Sequence, residues 1–230
     1  MEETADMKQF MLTAHSGCEK TPMNSIVYIQ KVLDIRPDAM EVDVRLSSDG
    51  ELILDHNGDA AGQAVPFEKA CRALAGTSVR INADLKEKNL EEKVLETTKD
   101  CGIQAARIIF SGCLGDPGTM QSRIGDASVF ANPEEFDEGF YVCTDVKERE
   151  ERFRDVLHAI HDCQFRTVNI NYRYCTERMM SLCRQMKIGI SFWTVDDAKE
   201  ARRLLGCRNA GQIVNITTNY PTFYLHSMSE

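Results

Sequence analysis

Strand-like apolar runs alternate with helix-like stretches along nearly the whole chain, giving eight strands in 230 residues. The residues suited to chemistry fall late in those strands, where the sites of parallel barrels gather. Hydrophobic content of 43% is enough for a sizeable core, and no linker, repeat or low-complexity segment divides the chain. Together these observations predict an α/β protein, a (β/α)8 TIM barrel forming a single domain over residues 1–230.

The apolar run Phe10-Met11-Leu12, within residues 8–18, reads as the first strand, with His15 at its carboxyl end. Thr21-Pro22 and Asn24-Ser25 are helix-start signals. Ile26, Ile29, Val32 and Leu33 give that helix its apolar stripe, and Arg36-Pro37-Asp38 ends it. Residues 40–46 alternate as a strand, placing Glu41 and Asp43 on one face and Val42 and Val44 on the other. Ser47-Ser48-Asp49-Gly50 reads as a tight turn, and residues 51–55 return as a short strand. A helix starts around Val65-Pro66-Phe67-Glu68. Residues 79–86 form the third barrel strand, with Asn82, Asp84 and Lys86 on one face.

Residues 90–100 read as a helix closed by Cys101-Gly102. Residues 105–110, 127–131 and 167–171 are strands four to six, read from short apolar runs alone. Between them lie a short helix around Met120 and a long charged one over 145–163, whose run from Lys147 to Arg152 reads as a solvated face. The helix at 176–187 turns Met179, Met180, Leu182 and Cys183 toward the core. Strand seven (188–195) bears Trp193, a helix follows over 196–205, and strand eight spans 210–216.

The chemistry centres on residues 39–56. Two carboxylates side by side on a strand repel each other unless a cation sits between them, and oxygen ligands on a rigid strand suit Mg²⁺ or Ca²⁺. The hairpin brings His56 to the same end as Glu41 and Asp43, where an imidazole is a natural proton carrier at neutral pH. Ala14-His15-Ser16-Gly17 supplies a second histidine at another strand end.

In order and spacing, the segments AHSG, TPMNSIVYIQKVLD, MEVDVRLSSDGELILDHN, INADLK, SFWTVDD and ITTNYP resemble the glycerophosphodiester phosphodiesterase family over nearly the whole chain. The resemblance implies a TIM barrel that hydrolyses glycerophosphodiesters to sn-glycerol 3-phosphate and an alcohol. It implies His15 and His56 as acid and base, without saying which is which, and attack by the glycerol 2-hydroxyl through a cyclic phosphate. Asp84 takes the place of a third metal-binding carboxylate, Lys86 reaches for a phosphate oxygen, and Trp193 walls the pocket. Three departures accompany it. The family arginine after the first histidine is Ser16, which can donate a hydrogen bond but no charge; Arg45, on the strand face of Asp43, is a candidate to restore some of it. The aspartate after the second histidine is Asn57, and the usual family insertion after strand two is reduced to a short loop. Two other readings stand beside the leading one: a lysophospholipase D or sphingomyelinase D-like phosphodiesterase, and a non-catalytic metal-binding barrel.

A net charge of −9 and a pI near 5.2 argue against nucleic acid or an anionic membrane surface as partner. No apolar run is long enough to span a membrane, and the acidic start MEETADMKQF lacks the pattern of a secretory signal. Nine cysteines, scattered singly with no Cys-x-x-Cys pair, read as reduced thiols of a cytoplasmic protein; Cys18, beside the end of strand one, is the one to check as a nucleophile. The expected partner is a small phosphodiester, with no stable membrane insertion and with homo-oligomerisation left open.

Overall fold

The computed structural model describes residues 10–58 and 64–227. In chain order its elements are β1 (Met11–Ala14), α1 (Ile26–Ile35), β2 (Ala39–Leu46), β3 (Leu52–Leu54), β4 (Val65–Pro66), α2 (Phe67–Leu74), β5 (Arg80–Leu85) and α3 (Glu91–Asp100). There follow β6 (Ile108–Gly112), α4 (Pro117–Ile124), β7 (Ser128–Ala131), α5 (Val146–Asp162), β8 (Thr167–Asn171), α6 (Glu177–Met186), β9 (Gly189–Trp193), α7 (Ala198–Leu205), β10 (Ile213–Thr218) and α8 (Pro221–Ser227). Parallel pairing runs β1-β10-β9-β8-β7-β6-β5-β2, and β2 returns to β1, so these eight strands close on themselves as a (β/α)8 barrel.

Closure is incomplete in one informative place. β1 stops at Ala14, and the outer half of β2 is left with an open edge on that side. β3 fills it, pairing antiparallel with Val44 opposite Leu54. The Asp55 N–H donates to the Asp43 carbonyl at 3.0 Å, so the hairpin lays its end, and His56 with it, across the barrel mouth. β4 extends the hairpin beyond the loop 57–63 expected in place of the family insertion, of which residues 59–63 lie outside the described residues.

Strand alternation sorts the side chains into two environments. Leu12, Val42, Ala83, Phe110, Val168, Ile190 and Ile216 point outward and pack with the helices in the main core. Met11, Ala39, Ile109 and Phe130 form a separate small apolar plug near the amino ends of the strands. Above that plug the lumen is polar. Buried Thr13, Asn169, Ser191 and Asn215 satisfy one another by hydrogen bonds, which removes most of the cost of burying them.

Several expected elements shift. Residues 105–107 form a 3₁₀ turn rather than the start of strand four, because the Arg107 guanidinium is tied to the carbonyls of Leu74 and Val79 at 2.9 and 2.5 Å. The strand therefore runs on through Ser111 and Gly112. The last strand likewise begins at Ile213, after a 3₁₀ turn, and reaches Thr218. In α1 it is Tyr28 rather than Ile26 that faces inward; Ile26 is 46% exposed, while the Tyr28 hydroxyl bridges the carbonyls of Ala14 and Glu41 at 2.9 and 2.7 Å. The charged face of α5 is not wholly solvated. Arg149 is buried, donates to the Cys143 carbonyl at 2.7 Å and lies over the Tyr174 ring, and buried Glu150 accepts from Thr176 at 2.6 Å.

Candidate active site

At the carboxyl ends of the strands a pocket of about 380 Å³ opens, lined by His15, Glu41, Asp43, His56, Asp84, Lys86 and Trp193. Seven of the eight expected site residues thus meet in one cavity. Ser16 does not. Its side chain is fully buried, its hydroxyl finds no hydrogen-bond partner, and only its backbone serves the site. Arg45 also turns away, holding the His56 carbonyl at 3.0 Å and pairing with Glu87 at 3.3 Å, so the lost arginine charge is not restored from there.

β2 and β5 build the acidic wall. Their register sets Asp43 beside Asp84, with Glu41 one inward step below. Glu41, Asp43 and Asp84 bring ligand oxygens within 4.8 Å of one another. Each carboxylate is steered by a neighbour. The Ser16 N–H donates to Glu41 Oε2 at 2.7 Å, Asn24 Nδ2 to Asp43 Oδ2 at 2.6 Å, and the Ser111 hydroxyl to Asp84 Oδ1 at 3.1 Å. Asn24 adopts a left-handed backbone (φ 53°) to make its contact, and its Oδ1 accepts from the Asp43 N–H at 3.1 Å. Gly112 is required where β6 passes the trio: its φ is +78°, and a Cβ there would strike the Leu85 backbone and the Asp84 carboxylate.

Burial first, then the charges of Asp43 and Asp84, push the Glu41 carboxyl well above the usual range. Burial also works to raise Asp43, but Lys86, with help from Asn24, holds it below that range. The Lys86 ammonium lies 2.8 Å from Asp43 and 2.5 Å from Asp84, and these two keep it protonated against its own burial. Three converging carboxylates with one ammonium leave an excess of negative charge held on hard oxygens, which is the donor set that Mg²⁺ or Ca²⁺ takes.

Both histidines are oriented through Nδ1 by an asparagine. His15 Nδ1 sits 2.9 Å from Asn219 Oδ1, and Asn219 is clamped by Asp196 through its side-chain and backbone N–H, each at 2.8 Å. His56 Nδ1 sits 2.8 Å from Asn57 Oδ1. An amide oxygen only accepts, so Nδ1 carries the proton in both rings and Nε2 is left as the proton acceptor. Asn57 thus orients the His56 ring through an uncharged acceptor. Asn219 and Asp196 stand in the segments ITTNYP and SFWTVDD; local spacing assigns no role to either, and their presence in resembling segments is the available signal. Cys18 is buried, and burial pushes its thiol up to about 12, so it is no nucleophile at neutral pH.

Fold and site together define a parallel barrel with three converging carboxylates and two imidazoles at its mouth. Solved structures with the same fold include a glycerophosphodiester phosphodiesterase from Parabacteroides distasonis, 16% identical, covering 96% of this chain and 99% of that one at a TM-score of 0.67. One from Thermotoga maritima is 15% identical, covering 95% and 98% at 0.67. A phosphodiesterase from Oleispira antarctica in complex with the product sn-glycerol-3-phosphate is 14% identical, covering 96% and 97% at 0.68. No protein-family model matches the chain, and no curated protein matches it in sequence. The likeness therefore extends over the whole fold at a sequence identity of 14–16%.

Proposed function

We propose that the protein is a glycerophosphodiester phosphodiesterase that needs a divalent cation and releases sn-glycerol 3-phosphate and an alcohol. The observation that carries this reading is the convergence of His15, His56 and the three carboxylates on one pocket. Glu41, Asp43 and Asp84 would hold Mg²⁺ or Ca²⁺, which when bound neutralises a phosphate oxygen and acidifies a nearby hydroxyl. Lys86 offers the phosphate a second positive contact once it yields its place between Asp43 and Asp84. One Nε2 takes the proton of the attacking hydroxyl, and the other imidazole, protonated, delivers one to the leaving alkoxide. Each ring is held for this by its asparagine. The motif resemblance and the Oleispira antarctica fold relative with its product support glycerol phosphate as the retained half. The nine unpaired thiols suit the cytoplasm, and no helix among the described residues is long and apolar enough to cross a membrane.

Incubation with Mg²⁺, Ca²⁺ or EDTA and a panel of glycerophosphodiesters, lysophospholipids and an aryl phosphodiester tests the reading. Turnover of glycerophosphodiesters that EDTA abolishes is the expected result. Turnover of lysolipids alone would move the assignment to a lysophospholipase D, and no turnover with either ion would leave a metal-binding barrel.

A further inference from the structure

A second cavity, of about 550 Å³, opens at the other end of the barrel, where β5, β7 and β8 begin. It shares no lining residue with the pocket at the carboxyl ends of the strands. Its floor is apolar, made by Met11 and Phe130 of the small plug together with Phe165 and Val214. Arg80, Arg166, Gln121 and Gln164 give it a polar rim, and no carboxylate lines it among the described residues. In a chain of 36 acidic and 27 basic residues, a cavity with two guanidiniums and no acid reverses the overall sign of the charge.

Both arginines stand on fixed backbone. Arg80 opens β5, and its N–H donates to the Asp38 carbonyl at 2.9 Å. Arg166 directly precedes β8, and its carbonyl accepts from the Gly189 N–H at 2.8 Å. Their side chains are exposed, and neither guanidinium has an ion-pair or hydrogen-bond partner among the described residues. Arg107, Arg123, Arg149 and Arg152, by contrast, each hold a carbonyl or a carboxylate. An adjoining cavity shares Met11 and Arg80 and brings Arg36 to the same end; Asp38, which lines it, accepts from the Leu12 N–H at 2.8 Å. Gln164 follows α5 with a left-handed backbone (φ 61°), a place glycine usually takes, and adds an amide donor to the rim. Guanidinium forks match the oxygens of a phosphate, and an apolar floor beside them suits an organic body attached to it.

We infer that this cavity at the amino ends of the strands binds a small organic phosphate, with the phosphoryl group held by Arg80 and Arg166 and the organic body on the floor of Met11 and Phe130. The site is independent of the reaction proposed at the other end, and a protein that hydrolyses no diester leaves it standing. Calorimetric titration of the full chain in EDTA tests it, with phenyl phosphate as the probe and inorganic phosphate and phenol as its two halves. Trp193 is the single tryptophan and lines the opposite pocket, so its fluorescence reports a probe that goes there instead. Phenyl phosphate is expected to bind more tightly than either half, to leave Trp193 emission unchanged and to weaken as salt is raised. Arg80→Gln and Arg166→Gln are each expected to weaken it about tenfold. Both side chains are exposed and the substitutions keep the backbone contacts, so an unchanged Tm shows that the variants are folded. No binding by the wild type, binding that changes Trp193 emission, or binding unaltered in R80Q/R166Q overturns the site. Binding that appears only in a full-length variant with Glu2, Glu3 and Asp6 changed to Gln, Gln and Asn also overturns it, because the cavity would then belong to the chain's own acidic start.

Discussion

The pocket has two walls of opposite construction. The β2–β5 wall is short-range: Glu41 and Asp43 lie two residues apart, His56 is reached by a hairpin, and Asp84 is the register neighbour of Asp43. The β7–β9 wall is long-range: Asn132, Asn169, Ser191 and Asn215 come from separate strands and meet because the sheet closes. The first wall concentrates like charge around a single ammonium, Lys86, whereas the second satisfies its Asn and Ser side chains among themselves and leaves Glu134 Oε2 and Trp193 Nε1 without hydrogen-bond partners. The candidate reacting groups Glu41, Asp43, Asp84 and His56 sit on the first wall, and the second fixes the geometry of the lumen.

That contrast is broken most directly at the imidazoles. His15→Gln and His56→Gln are each expected to lower kcat by about 10²–10⁴-fold while leaving the cation-induced rise in Tm in place. Loss of both effects together would make the histidines structural. Next in size is the orienting chain behind His15. Asp196→Asn and Asn219→Ala are expected to cost about tenfold in kcat and to displace the pH–rate profile, because the ring loses the acceptor that fixes its tautomer. An unmoved profile would reduce Asp196 to a loop staple.

A stability measurement sharpens the comparison further. The folded pKa of Glu41 lies above its ordinary value of 4.5. As pH rises past that value the unfolded chain gives up a proton that the folded chain still holds, so Glu41 withdraws stability until its folded pKa is passed. Glu41→Gln retains the acceptor for the Ser16 N–H and is expected to raise Tm in EDTA by a few degrees at neutral pH, with the gain vanishing toward pH about 4. The same variant should lose the Tm increase given by Mg²⁺ or Ca²⁺. A variant less stable than wild type in EDTA at neutral pH would show that the trio is not under like-charge strain. Asp43 has the opposite sign: held low by Lys86, it contributes stability above its ordinary 3.8 and loses it as pH falls through the folded value. The smallest effect is expected at Ser16→Ala, where turnover should stay within about twofold because the hydroxyl is buried and unpaired. A tenfold fall would reinstate Ser16 as a phosphate donor.

The legible part of the site was the part governed by local periodicity. Alternation put Glu41 with Asp43 and Asp84 with Lys86, and the Asp49-Gly50 turn announced the hairpin that carries His56. Asn219 was hidden because its role depends on β10 lying against β1, a pairing between segments about 200 residues apart that no local pattern specifies. Arg149 and Glu150 were misread for a similar reason: the run around them has the charge of a solvated face, and only the packing of α5 against α6 buries two of its members.

The sequence by itself determined the alternation of strands and helices, the chemical identity of the acidic trio and the presence of two histidines at strand ends, since these follow from side-chain period and turn chemistry. Tertiary structure decided which nitrogen of each histidine meets an asparagine, that Ser16 and Arg45 turn away from the pocket, and that Glu134 stands in it with an unsatisfied oxygen. Those outcomes depend on which strands become neighbours when the barrel closes, and hydrogen-bond partners far apart in the chain are chosen only at that step.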